Sequence, residues 1–109
     1  MANIYRNAKV DLTTTDNTTL YTSPSDSRVI VKNILVSDDS GSGDSINVTL
    51  TDASAAVFSL FKTKAIASNA TTELITQPIV LEESEILKAQ ATTAGRLHVV
   101  VSLLEINRD

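Results

Sequence analysis

Ile79-Val-Leu-Glu-Glu-Ser-Glu-Ile-Leu-Lys-Ala-Gln-Ala91, followed by Thr92-Thr-Ala-Gly95 and Arg96-Leu-His-Val-Val-Val-Ser-Leu-Leu-Glu-Ile106, is the stretch that decides the fold. Leu87, Ala89 and Ala91 alternate with Lys88 and Gln90, and Leu97, Val99, Val101 and Leu103 fall on one parity beyond the break. A period of two marks pleated strands with one buried face, and the small polar residues between them mark a turn. The segment is expected to close as a hairpin. Its second face, His98, Val100, Ser102, Leu104 and Ile106, is half apolar, which is more than a solvated surface needs, and it is expected to be a contact surface, either to the second sheet through a bulge or to a neighbouring subunit.

Upstream, Arg28-Val-Ile-Val-Lys-Asn-Ile-Leu-Val36 carries apolar residues at both parities. Strict alternation puts Val29, Val31 and Leu35 on one side and Ile30, Ile34 and Val36 on the other, so a central strand covered on both faces is expected. Ser45 to Thr51 gives the cleanest alternation, with Ile46, Val48 and Leu50 facing in. Ala8, Val10 and Leu12 share one face of a further short strand. Ala56 to Lys64 contributes both Phe side chains.

Breaker-rich segments separate these runs. Ser23 to Ser27 is a turn with Pro24 fixing φ, Asp38 to Ser45 is a hairpin loop, and Asp52 to Ala55 is another turn. Ala65 to Thr72 is compatible with either a helical turn or a loop, and Pro78 belongs at a strand start or edge. No long amphipathic helix and no internal repeat is visible. About seven to eight short strands with turns every 8 to 15 residues predict an all-β fold, an antiparallel β-sandwich of jelly-roll-like form.

The 109 residues suit one domain, with residues 1–7 expected as an arm, flexible or in contact with a partner. Thr and Ser make up about a quarter of the chain and aromatics are few, which favours strands and disfavours stacking platforms for sugars or single-stranded nucleic acid. Nine basic against thirteen acidic residues give a net charge of -4, and the basic ones are scattered, so nucleic acid is not an expected partner. With no cysteine, disulfide frameworks and thiolate chemistry are excluded. The start lacks the apolar core of a secretory signal and no stretch approaches a membrane span. A soluble chain made in a cytoplasm is expected, with no membrane partner and no cofactor.

Little in the sequence resembles a chemical site. His98 is the one histidine; Ser102, four residues along the same strand, stands about 13 Å away by strand rise, and no elbow motif surrounds it. Glu82, Glu83 and Glu85 fit a solvated turn that blocks edge pairing better than paired acid and base groups. Asp38, Asp39 and Asp44 sit beside two glycines but lack the order and closing Glu of a calcium loop. The Asn-x-Thr triplets at Asn17, Asn47 and Asn69 are expected by chance in a Thr-rich chain.

Taken together, Leu20-Tyr-Thr-Ser-Pro24, Val29 to Val36, Asn47-Val-Thr-Leu-Thr-Asp52, Ile79 to Ala91 and Leu97 to Ile106 resemble the small β-rich virion proteins of tailed bacteriophages, notably marine cyanophage-like ones. The resemblance spans roughly residues 18 to 106; Ser84-Glu85 stands where similar sequences carry Gly-Asp. It implies a repeated structural subunit located in a virion, partnered by itself and by other virion proteins, with no catalytic residues. The surplus apolar faces then become an oligomer interface, with Val100, Leu104, Ile106, Ile30, Ile34 and Val36 as its expected residues. A carbohydrate- or receptor-binding module is the alternative, and it requires Tyr5, Tyr21 or a Phe exposed beside polar loops.

Overall fold

The computed structural model describes residues 2–107, Ala2 by its backbone alone. Nine strands follow in order: β1 (Ala2–Leu12), β2 (Thr18–Thr22), β3 (Ser27–Asp38), β4 (Asp44–Thr51), β5 (Val57–Ile66), β6 (Thr71–Glu73), β7 (Ile79–Leu81), β8 (Ile86–Ala91) and β9 (Leu97–Asn107). They form two antiparallel sheets. One runs β1-β9-β3-β6, with β7 also paired to β3, and the other runs β2-β8-β4-β5. Successive strands mostly cross between the sheets, and the pairs β1–β9, β2–β8 and β4–β5 nest inside one another. That is the jelly-roll order of a β-sandwich. The strands beyond the expected seven or eight are accounted for by β6 and β7, three residues each.

The core lies between the sheets. Val29, Val31, Val99, Val101 and Leu103 face it from the five-stranded sheet, and Ile46, Val48, Leu87, Ala89 and Ala91 from the other. Each larger side chain among these contributes about 1.5–3 kcal/mol of transfer free energy. The alternation in β4, β8 and β9 therefore resolves as expected. The connection between β8 and β9 does not. These strands lie in different sheets, so Thr92 to Arg96 is an arch over the end of the sandwich rather than a hairpin turn. The same holds for the loop from β3 to β4. Among the expected turns, Asp52 to Ala55 is a true hairpin turn: Asp52 Oδ1 accepts from the Ser54 and Ala56 amides at 2.9 Å, and Ala55 takes the positive φ that closes it.

A bulge in β3 overturns its expected facing. Val31 pairs with Leu103 and Asn33 with Ser102, leaving Lys32 as the extra residue. Parity inverts there, so Ile34 and Val36 are 0% exposed in the core while Ile30 and Leu35 face outward. Residues 2–7, expected as an arm either flexible or in contact with a partner, form the first half of β1, an edge strand paired with β9 over its whole length, which speaks against the flexible alternative; Met1 lies outside the described residues. Ala65 and Ile66 complete β5, and Ala67 to Ala70 is a turn with Asn69 at positive φ, so the loop alternative holds there.

Candidate assembly surface

The outer face of the five-stranded sheet follows from the pairing register, because directly paired residues point the same way. One cross-strand row reads Tyr5, Leu104, Ile30, Val80 from β1 through β9 and β3 to β7. A second reads Lys9, Val100, Leu35, Glu73, ending on β6. Between them Asn7 and Ser102 face the β3 bulge, and beyond the second row come Asp11, His98 and Ser37. Tyr5 is 74% exposed, Val80 53% and Val100 37%, while Ile30, Leu35, Leu104 and Ile106 are half-buried. This is an apolar field on a solvent-facing sheet.

Of the six residues expected at an interface, Val100, Leu104, Ile106 and Ile30 share this face, and the bulge removes Ile34 and Val36 from it. Leu35 and Val80 are not among the residues expected on this face, and Tyr5 is expected to be exposed only under the binding-module alternative. The parity of Ala8 and Val10, extended backwards, would have placed Tyr5 outward; Leu35 depends on a bulge that carries no sequence signal of its own.

Two shallow depressions mark the face. Tyr5, Arg6, Asn7, Lys32, Ser102 and Leu103 line one of about 340 Å³, in which the Lys32 ammonium lies 6.0 Å from the Tyr5 ring centroid. Lys9, Val10, Asp11, His98, Val99 and Val100 line the other, about 540 Å³. Elsewhere, edge strand β5 leaves Phe58 55% exposed while Phe61 packs partly against the core.

Several titratable groups hold turns or tie elements together. Asp38, buried at the end of β3, accepts from Ser40 N and Oγ at 3.0 and 2.7 Å on one oxygen, and from the Gly43 and Asn69 amides at 2.8 and 3.0 Å on the other. The Ser40 hydroxyl bond, helped by these amides against the cost of burial, holds its carboxyl well below the usual carboxylate range. Gly43 is required there: its φ is +73°, and a Cβ would come within 3.1 Å of the Ile66 carbonyl oxygen. Asp44 instead accepts from the Thr93 amide at 2.8 Å, and Asp39 lies 3.9 Å from His98. The three aspartates do not converge, and no group of His, Cys, Asp or Glu placed to hold a metal ion is found among the described residues.

Glu85 caps its own turn by accepting from the Glu82 amide at 2.9 Å. His98 Nε2 lies 3.3 Å from Asp11 Oδ1 on the outer face, and Ser102 faces Asn7 and Asn33 further along it. Inside the sandwich, Tyr21 donates to the buried Glu105 carboxylate, with Arg6 Nε 3.6 Å from the same oxygen. Burial first, and then the Glu105 carboxylate, push the Tyr21 hydroxyl up to about 12.

Solved structures share this fold. The chain superimposes with a TM-score of 0.58 and 11% identity on the capsid structure of Helicobacter pylori bacteriophage KHP30, covering 97% of this chain and 89% of that one. It superimposes equally well, at 0.58 and 9% identity, on Bacillus endospore appendages described as disulfide-linked pili, covering 98% and 89%. What these structures share with the chain is the fold, an antiparallel jelly-roll β-sandwich. No protein-family profile matches the chain, and no curated protein does. Among the described residues no helix is long and apolar enough to cross a membrane.

Proposed function

We propose that this chain is a non-enzymatic structural subunit of a tailed-phage virion, and that it works by homo-oligomeric assembly through the outer face of its five-stranded sheet. The observation that carries this reading is the row Tyr5, Leu104, Ile30, Val80, an apolar strip on the solvent side of a sheet whose other side already fills the core. Burying such a strip against another copy removes apolar surface from water. The phage capsid structure of like fold and the virion-protein resemblance of the sequence support the same role. The sequence has no cysteine, so disulfide linkage of the kind described for the endospore pili has no counterpart in it. Other virion proteins are the remaining partners; nucleic acid and membrane are not.

Sedimentation velocity over a wide concentration range tests the reading. Association to a defined oligomer is expected. A chain that stays monomeric at high concentration, and is absent from purified particles by mass spectrometry, would contradict it.

Tyr5 favours the carbohydrate- or receptor-binding module as the second reading, since an exposed ring beside Asn7, Lys32 and Ser102 is the platform such a site needs. Glycan binding lost in Tyr5→Ala while the oligomeric state is kept would favour that module over assembly.

A further inference from the structure

The two rows of the outer face have matched ends. Tyr5 and Val80, both exposed and apolar, bracket Leu104 and Ile30; Lys9 and Glu73, both exposed and opposite in charge, bracket Val100 and Leu35. Rotation by 180° about an axis parallel to the strands, between β9 and β3, exchanges β1 with the β6–β7 edge and β9 with β3. Each row then lies over itself in the second copy. Tyr5 meets Val80, Leu104 meets Ile30, Val100 meets Leu35, and Lys9 meets Glu73 twice, once on each side of the axis.

Resting on the assembly reading above, we propose that the elementary contact is a two-fold, face-to-face packing of two five-stranded sheets, with its lateral register fixed by the paired Lys9–Glu73 contacts. The occupant of the face is a second copy because the face is self-complementary. It carries Arg28, Lys32 and Lys9 together with Asp11, Asp39 and Glu73, and Arg6 at the rim of its depression, a mixture of both signs on a chain of net charge -4. A partner selected by charge would call for one sign, whereas an isologous interface calls for both.

The area is sufficient. Four strands at about 4.8 Å spacing, and β9 from His98 to Ile106 at about 3.4 Å per residue, give a face of roughly 500 Å² per copy. The pair then buries about 1,000 Å², the lower limit for a specific interface. Sheets packed in this way lie about 10 Å apart with strand directions within about 30°, a gap that the side chains of Lys and Glu span.

Charge reversal tests the register. Lys9→Glu and Glu73→Lys are both exposed changes, and circular dichroism melts would confirm folding. Each single variant is expected to weaken dimerisation at least about fivefold at low salt, and the double variant to return it to within about threefold of wild type. Added salt should narrow these differences. Singles that dimerise as tightly as wild type, or a double variant no better than the singles, would overturn the register while leaving assembly standing. A wild-type protein that associates only into odd-numbered oligomers would overturn the two-fold contact alone, and one that stays monomeric would overturn both.

Discussion

Tyr21 on β2 donates its hydroxyl hydrogen bond to Glu105 on β9, tying the four-stranded sheet to the five-stranded one through the interior. Glu105 is buried among core residues, a position that a carboxylate holds only when it is hydrogen-bonded or paired. Tyr21→Phe leaves it with Arg6 at 3.6 Å, and is expected to cost about 1–3 kcal/mol. For a chain of this size each kcal/mol lowers the melting temperature by about 4–8 °C, which calorimetry resolves.

The same pair sets an alkaline limit. The folded-state pKa of Tyr21 lies at about 12 against an ordinary 10.0, so the folded state holds this proton more tightly than the unfolded chain does. Its contribution is whole below pH 10.0 and fades as pH rises toward about 12. Urea titrations across that window should show wild-type stability falling, with that component missing in Tyr21→Phe.

Asp38 gives the opposite sign. Its carboxyl is depressed in the folded state by the Ser40 hydroxyl and three backbone amides, so its contribution is present above the ordinary carboxylate pKa of about 3.9. It is lost as pH falls below that value toward the folded-state pKa. Asp38→Asn sets an amide NH₂ against incoming N–H donors. The variant should melt below wild type at neutral pH and show a flatter acid limb, measured by thermal melts from about pH 2 to 7.

Neighbouring residues in β3 should respond in opposite ways. Ile34 is 0% exposed and Leu35 faces outward, so Ile34→Asp buries an unpaired charge and should cost more than about 4 kcal/mol, enough to prevent folding. Leu35→Asp should cost about 1 kcal/mol and yield a folded protein. Circular dichroism and chemical denaturation of the two variants distinguish these outcomes. The reverse pattern would return the strand to unbroken alternation.

That pair also shows how far the sequence could be read. Alternation identifies a buried face wherever the strand is regular, which is why Ile46, Val48, Leu87, Ala89, Val99 and Val101 were legible as core. It cannot place an inserted residue. Lys32 reverses every facing after it, and Ile34 and Val36 left the surface for that reason. Nor does alternation name a strand's neighbour. Thr92 to Arg96 is short enough for a hairpin, yet β8 finds its partners in β2 and β4 while β9 finds them in β1 and β3. Pairing between the ends of the chain is a long-range outcome that local turn chemistry does not encode. Within the assembly surface, β9 was legible because it is regular, whereas Tyr5 and Val80 became members only once their cross-strand partners were known.

Leu104 stands at the centre of the apolar row, between Tyr5 and Ile30 and half-buried on the outer face. Sedimentation velocity of Leu104→Asp beside wild type, at matched concentrations, is the most direct test of assembly through this face. The expected result is an associating wild type and a variant that remains folded and sediments as a monomer. A folded variant whose sedimentation matches wild type would place the contact elsewhere and contradict the account.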